Sequence, residues 1–387
     1  MYTKTILFIH QSSELYGSDK TLFYLAREVN NNPNFNAIVV IPNNGPLKEL
    51  LENNNIKVII SPIVKVSRSM FTIKNIFRLP FIIYSATRKL NKALKNTKID
   101  IVHSNTLAVL VGAFYSKQNK IKHIWHVHEI ISKPKIVSKL FPMIVNYFSK
   151  IVIYNSNATK TSLSDKHKRL ASKSVTILNG LNRDEKLTPI SEIRRIRNEV
   201  FKFEEKNIVL GLVGRINNWK GHHLLLDSFK RLIEEFDNIK LVFIGSAPAG
   251  QENLVKELQE KISLYNLQGA CKIIPFQKDI WKIWDSINVA VIPSTEPEPF
   301  GLVALEAMLA SKAVVAANHG GLKEIVENEI TGLLFEPSNK EDLIKKIKKL
   351  IVDKQISNSL GNRGYERAIK EFSLDKYCSN FFKIYEI

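Results

Sequence analysis

Arg215 and Lys220 stand five residues apart in one polar loop, Gly214 to Gly221 (GRINNWKG). A guanidinium offers a planar fork and an ammonium a compact charge, so the two can converge on one anion and suit a diphosphate; otherwise the loop is a solvated connection. Further along, Glu298 and Glu306 flank a loop-to-helix junction within PEPFGLVALEAM, Pro297 to Met308. A helix start offers unpaired N–H groups to phosphates, although a Glu near a helix start also arises for dipole reasons alone. In the first half, His126 and His128 close an apolar run and are followed by Glu129. Residues two apart in a strand share a face. An imidazole at a strand's carboxyl end can meet a sugar hydroxyl or phosphate, or can be a satisfied core histidine. A metal would need a third ligand in range, and none is evident. Gly17 precedes a helix, where it can make the turn or let backbone approach a phosphate. The chain lacks the full G-x-G-x-x-G fingerprint at that point.

The elements that must position these residues follow from apolar runs and breakers. Val289 to Glu327 reads as strand (Val289–Ile292), polar loop, helix from Leu302, strand (Ala313–Ala317), glycine turn at Gly320-Gly321, and helix. The first half carries expected strands at Thr5–His10, Ala37–Ile41, Ile56–Ile60, Ile99–His103, Ile121–Val127, Lys150–Tyr154 and Val175–Leu178. A helix is expected over about Thr106–Ser116. The second half restarts with strands at Ile208–Val213, Ile239–Ile244 and Cys271–Phe276. Strands alternating with helices predict two successive α/β domains, whose ligands meet loops at the carboxyl ends of the strands.

The chain has 387 residues, enough for two domains. Its 2 cysteines, Cys271 and Cys378, form no ligand pattern and suit a reducing cytoplasm. The start lacks a signal-peptide layout, and no run is long and apolar enough to span a bilayer. The net charge of +19 is unevenly spread. Residues 1–190 carry 28 Lys and Arg against 10 Asp and Glu, leaving 28 against 27 in the remainder. Between Glu52 and Asp100 there is no acidic residue, while Lys65, Arg68, Lys74, Arg78, Arg88, Lys89, Lys92, Lys95 and Lys98 alternate with Met70, Phe71, Ile73, Ile76, Phe77, Phe81 and Ile82. Pro80 is expected to break or kink a helix there. Such a segment can lie on an anionic membrane, or its lysines can be a solvated face.

Several blocks in order resemble one family, the nucleotide-sugar glycosyltransferases of the GT-B fold, family 4. They are ILNGL (Ile177–Leu181), VGRINNWKGHHLLLDSF (Val213–Phe229), PEPFGLVALEAM, GGLKEIV (Gly320–Val326) and TGLLFEP (Thr331–Pro337). Glu298 and Glu306 match that family's E-x7-E motif. The resemblance implies an α/β architecture of two Rossmann-like domains facing across a cleft, with the C-terminal helix crossing back to the N-terminal domain. The expected boundaries are 1–185 (acceptor-binding), 186–206 (linker), 207–370 (nucleotide-sugar-binding) and 371–387 (the returning helix). It implies that Arg215 and Lys220 hold the diphosphate, Glu298 the sugar hydroxyls and Glu306 the ribose. Backbone N–H groups near Phe300, Gly301, Leu302 and Val303 would meet sugar and phosphate. Gly17 would approach the donor, and His128 would sit near the reacting sugar; Glu129 after it favours His128 over His126. The N-terminal loop LYGSD (Leu15–Asp19) departs from the Gly-Gly-Ala-Glu pattern of many relatives, so Asp19, His126 and Glu129 stand as candidates for the acceptor side.

The expectation is therefore a retaining, metal-independent hexosyltransferase that needs no cofactor beyond its nucleotide-diphosphate sugar. Its acceptor would be a membrane-associated, lipid-linked saccharide in bacterial surface polysaccharide synthesis. The enzyme would be cytoplasmic and peripheral on the inner face of the membrane, touching it through residues 65–98. An epimerase on the same fold would need carboxylates to take and return a sugar proton, and the first-half loops offer Glu14, Asp19 and Glu129. Charge alone suggests a nucleic-acid binder, but nothing resembles a recognition module.

Overall fold

Runs of Val, Ile and Leu without polar alternation require strands covered on both faces, and parallel sheets flanked by helices provide that. The computed structural model describes residues 2–64, 73–131, 135–165 and 167–387. These contain thirteen strands, all parallel, in two sheets. The chain divides into two compact units, residues 1–180 with 374–387, and residues 181–373.

The first unit runs β1 (Lys4–His10), α1 (Gly17–Asn31), β2 (Phe35–Ile41), α2 (Pro46–Glu52), β3 (Lys57–Ile60), α3 (Ile73–Ala93), β4 (Ile101–Asn105), α4 (Val111–Asn119), β5 (Lys122–Val127), α5 (Lys135–Phe148), β6 (Ile151–Tyr154), α6 (Asn157–Ser164), α7 (Lys168–Ala171) and β7 (Ser174–Thr176). Its strand order is β3-β2-β1-β4-β5-β6-β7, which reverses direction between β1 and β4. Side chains alternate across the strands. Ile6, Phe8, Ile101 and Ile124 therefore pack on α1 and α2, while Leu7, Ile9, Val102 and Trp125 pack on α3, α4 and α5.

The second unit runs α8 (Ile190–Arg195), a π turn (Ile196–Val200), β8 (Ile208–Val213), α9 (His222–Leu232), β9 (Ile239–Ile244), α10 (Asn253–Leu264), β10 (Cys271–Ile274), α11 (Ile280–Asp285), β11 (Val289–Ile292), α12 (Leu302–Leu309), β12 (Ala313–Ala317), α13 (Leu322–Ile325), β13 (Leu333–Phe335), α14 (Lys340–Val352) and α15 (Lys354–Glu371). The order β10-β9-β8-β11-β12-β13 reverses between β8 and β11. The final helix, α16 (Leu374–Glu386), belongs to the first unit. Its Tyr377, Phe381 and Tyr385 are buried beside Phe8 and Ile6, at roughly 1.5–3 kcal/mol per large apolar side chain. The ammonium groups of Lys4 and Lys122 donate to the carbonyls of Tyr385, Glu386 and Ile384, where the helix dipole favours cations.

Three expectations change. The expected linker 186–206 packs within the second unit: Thr188 N–H donates to Asp285 Oδ2 (3.1 Å), the carboxylate that Arg183, just before the segment, holds in a two-point ion pair (2.9 and 2.5 Å). Arg197 donates to Ser286 O and Asn288 Oδ1, and Phe201 and Phe203 are buried, so this stretch belongs to the second unit. The helix expected from Thr106 starts at Val111, because Thr106 has φ +100° and no helix accommodates that. Finally, α3 runs as one helix through Pro80, which lacks the N–H for the carbonyl of residue 76. Of the basic segment, residues 65–72 with Lys65, Arg68, Met70 and Phe71 lie outside the described residues, as do the side chains of residues 73–76, among them Ile73, Lys74 and Ile76. Among the described residues no helix is long and apolar enough to cross a membrane.

Candidate active site

In open α/β sheets ligands bind beyond the carboxyl ends of strands, where the strand order reverses. In the second unit that point lies between β8 and β11, and the loops leaving these strands are fastened together. Asn217 Oδ1 accepts from the N–H of Trp219 and of Lys220 (3.2 and 3.0 Å), folding the loop after β8 back on itself. Thr295 N–H then donates to Trp219 O (2.8 Å), joining it to the loop after β11. Gly221 has φ +79°, and a Cβ there would lie 1.9 Å from Pro293 O, so only glycine lets the two loops approach this closely.

That approach brings charges together. Lys220 Nζ lies 2.6 Å from Glu298 Oε1. Ser294 Oγ donates to the same oxygen at 2.6 Å. Both ionic side chains are largely covered, at 15% and 5% exposure. Lys220 also lies over the Trp219 ring, 4.5 Å from its centroid. Glu298 Oε1 takes both bonds, so among the described residues Oε2 has no protein donor and is the oxygen available to a hydroxyl. The backbone under Glu298 is held by the glycine turn after β12: Gly321 N–H donates to Glu298 O (2.8 Å), and a Cβ on Gly320 would stand 2.3 Å from that same oxygen. Arg215 follows Gly214 at the end of β8 and is half-buried. Glu306 lies within α12, is buried, and has the Trp284 indole N–H at a long 3.5 Å. Phe300 and Leu302 turn their side chains into the core, so only their backbones can serve a ligand, and Gly301 and Val303 adjoin them at the start of α12.

The first unit has its own polar cluster where β1 meets β4. His10 and Asn105 are in register across these strands, and Asn105 is in register with His126 on β5. Asp19, in the first turn of α1, is buried with one oxygen 2.6 Å from His10 Nε2; the other accepts the Tyr16 N–H (2.8 Å). The Asp19 carboxylate thus turns inward and fixes β1 against α1. Gly17 is exposed at the first position of α1. His126 and His128 do point together, with ring centroids 4.0 Å apart. His126 is fully buried and packs on His103 and Phe381, with no hydrogen-bond partner for either ring nitrogen among the described residues. Its ring is packed into the core of the first unit. His128 keeps 8% exposure and bonds Asn105 Oδ1 through Nε2 (3.0 Å). Burial pushes its pKa down to about 3. Burial raises the pKa of Glu129, opposed by the N–H groups of Leu107 and His128 that its Oε2 accepts (3.0 and 3.1 Å). Its carboxylate thus organises the strained turn at Thr106 from within.

Sequence reasoning passed over Asn217, Ser294, His10 and Asn105. Asn217 opens an Asn-Asn turn and Ser294 stands four residues before Glu298, both readable as local turn formers. His10 and Asn105 could have been found as polar strand ends on either side of the reversal. His319, beside the glycine turn, also borders the site: burial lowers its pKa, against a Ser294 backbone bond and the nearby Glu298.

Two Rossmann-like units, each with a polar cluster where its strand order reverses, define the GT-B class of enzyme. Residues 17–185 match the family described as Glycosyltransferase Family 4, and residues 192–367 that described as Glycosyl transferases group 1. The chain is 30% identical to an uncharacterized glycosyltransferase of Methanocaldococcus jannaschii over 76% of this chain and 77% of the relative. It is 32% identical to a capsular polysaccharide biosynthesis glycosyltransferase of Staphylococcus aureus over 46% of each. The crystal structure of the Anabaena protein HepE in complex with UDP and glucose superposes with a TM-score of 0.85, at 26% identity and over 98% of this chain and 99% of that one. The chain belongs to the GT-B glycosyltransferases of family 4 type.

Proposed function

We propose that this enzyme is a retaining hexosyltransferase of surface-polysaccharide synthesis that draws on a nucleotide-diphosphate sugar and needs neither divalent cation nor other cofactor. The observation that carries this reading is the Lys220–Glu298 pair held over the strand reversal by interlocked loops. In donor binding, Lys220 and Arg215 take the diphosphate and neutralise the nucleotide as it leaves, the step at which charge develops. Glu298 turns Oε2 to hydroxyls of the sugar, and Glu306 takes the ribose. Backbone N–H groups from Phe300 to Val303 assist at the start of α12. In the first unit, Gly17 offers close backbone approach and His128 serves the sugar undergoing transfer. The HepE complexes with UDP and with UDP-glucose, and the capsular relative, support a uridine nucleotide sugar and a saccharide acceptor.

We assign the membrane contact to one face of the first unit. Phe77, Phe81, Ile82 and Tyr84 on α3 and Leu140, Met143 and Tyr147 on α5 are exposed. An apolar groove of about 510 Å³ between α3 and α4, lined by Leu79, Ile83, Tyr84 and Phe114, opens on it, with Lys117 at its rim. Exposed aromatics among Arg78, Arg88, Lys89 and Lys92 suit an anionic bilayer and an acceptor displayed there on a lipid.

A thermal-shift screen of UDP, GDP, dTDP and ADP and their sugars tests the donor reading. A ligand at about 100 times its Kd adds ~2.7 kcal/mol of stability, and UDP is expected to lead. No shift with any of the four would sink the reading.

A further inference from the structure

Five polar side chains of the first unit form one chain of hydrogen bonds whose direction is fixed by a carboxylate at one end and by a main-chain carbonyl at its middle. At one end, the buried Asp19 carboxylate lies 2.6 Å from His10 Nε2, which must therefore carry a proton. At the other side of His10, Asn105 Nδ2 lies 3.0 Å from Nδ1. The same Nδ2 faces Ser18 O at 3.4 Å. A carbonyl oxygen repels an amide oxygen, so the Asn105 side chain stands with its NH2 toward His10 and Ser18 and its oxygen toward His128. His10 Nδ1 then accepts from Asn105; the Asn105 main-chain carbonyl, at 3.3 Å from Nδ1, is the more distant contact. Asn105 Oδ1, being an acceptor, receives a hydrogen bond from His128 Nε2–H at 3.0 Å. His128 Nδ1 is left with its lone pair, opposite Asn155 Nδ2 at 3.5 Å. That contact is at the limit of a hydrogen bond, so a stronger donor can replace it.

We infer that Asp19, His10 and Asn105 are positioning residues that lock His128 as the Nε2–H tautomer, so that its ring meets the sugar as an acceptor of a hydroxyl proton. A ring so held has no proton to offer a phosphate oxygen. The inference rests on the assignment of His128 to the sugar made above, but the lock itself does not depend on it. Because the ring nitrogen facing Asn105 is fixed by that bond, the state of the other nitrogen follows. The low pKa of His128 is consistent with a ring that stays neutral at working pH. The arrangement also gives the buried Asp19 carboxylate a role: it terminates the chain of donors.

Nitrogen-15 NMR of the histidine rings in the full-length protein tests this, with the His128 signals identified by their loss in His128→Gln. The expected spectrum shows a single His128 tautomer, protonated at Nε2 and bare at Nδ1. In Asn105→Ala it becomes a mixture or reverses, and kcat falls about tenfold or more while KM for the nucleotide sugar holds. Asn105→Asp keeps an acceptor for Nε2–H and is expected to keep the tautomer, although its second oxygen, set against Ser18 O and His10 Nδ1, lowers stability. An Nδ1–H tautomer in the native protein, or an unchanged His128 spectrum in Asn105→Ala, overturns the lock even if that variant fails to turn over. If instead the spectra are as expected and His128→Gln transfers sugar at the native rate, the lock stands and the assignment of His128 to the sugar falls.

Discussion

Lys220 Nζ and Glu298 Oε1 lie 2.6 Å apart, so the cation assigned to the diphosphate and the carboxylate assigned to the sugar are ion-pair partners of each other. On that proposed assignment the pair couples the two halves of donor recognition through one short contact. It also keeps a nearly buried carboxylate compensated, with Ser294 as the second donor.

Removing the cation should therefore harm two properties. Lys220→Ala is expected to lower kcat/KM by 10²- to 10³-fold, about 2.7–4 kcal/mol in the barrier. It should also cost about 1–3 kcal/mol of stability, because Glu298 keeps only the Ser294 hydroxyl. Glu298→Ala loses activity to a similar extent. Urea titrations of both single variants and of the double variant give the coupling, and the double variant should be less destabilised than the sum of the singles. Full turnover in both single variants, with circular dichroism unchanged, would remove these residues from the site.

The glycine turn after β12 should matter through Glu298 and not through its own strain alone. Gly320 has φ +58° and Gly250 φ +79°, so alanine strains both, by about 1 kcal/mol or more. Only at Gly320 would the new Cβ collide, 2.3 Å from Glu298 O; nothing lies within 4 Å at Gly250. Gly320→Ala should thus lose activity as well as stability, and Gly250→Ala stability alone. Equal kinetics in the two variants would show that the turn does not hold Glu298.

Much of this was legible in the sequence, and the rest failed for physical reasons. Parallel strands bury both faces, so β8, β9, β11 and β12 were readable end to end as apolar runs. Leu333–Phe335 was too short to register as a strand. Thr106 looked like a helix start because its φ of +100° is set by tertiary bonds, the Trp125 indole to its carbonyl among them. The E-x7-E carboxylates and the Arg215/Lys220 loop stood out by charge in apolar surroundings. Ser294, Asn217, His10 and Asn105 act by orienting other groups, and only a folded register brings His10 beside Asn105 across 95 residues. Asp19 illustrates the reverse: a charge in a loop reads as exposed until a partner buried beneath it is seen.

The two histidines at the end of β5 should separate by substitution and by pH. His126 lies between the rings of His103 and Phe381, so His126→Phe keeps aromatic packing and is expected to leave transfer intact, whereas His128→Ala abolishes it. Burial holds the folded pKa of His123 at about 4, of His128 and His222 at about 3, and of His126 well below its usual value. Below pH 6.5 the unfolded chain takes up protons that the folded one refuses. Their contribution to stability is therefore complete above pH 6.5 and lost as pH falls toward 4, with a slope of up to about 1.4 kcal/mol per pH unit for each histidine. His126→Phe should flatten that slope by one proton. Urea unfolding at pH 7, 6 and 5 measures it; an identical slope in the variant would place a charged His126 in the folded state.

The α3–α5 face should bind anionic vesicles through apolar insertion and charge together. Phe81 on α3 and Tyr147 on α5 are 74% and 64% exposed, and burying one such ring is worth about 1.5–3 kcal/mol. Phe81→Asp should therefore weaken binding by about tenfold or more, since 1.4 kcal/mol is a factor of ten. Tyr147→Asp should do the same, although it lies on a different helix from the acid-free run. Raising salt should weaken both native and variant binding, because the charged part is screened within about 8 Å at physiological ionic strength. Vesicle co-sedimentation with and without phosphatidylglycerol measures each. Native-level binding by Tyr147→Asp would confine the contact to α3, and failure of the native protein to bind anionic vesicles at physiological salt would abolish the membrane assignment.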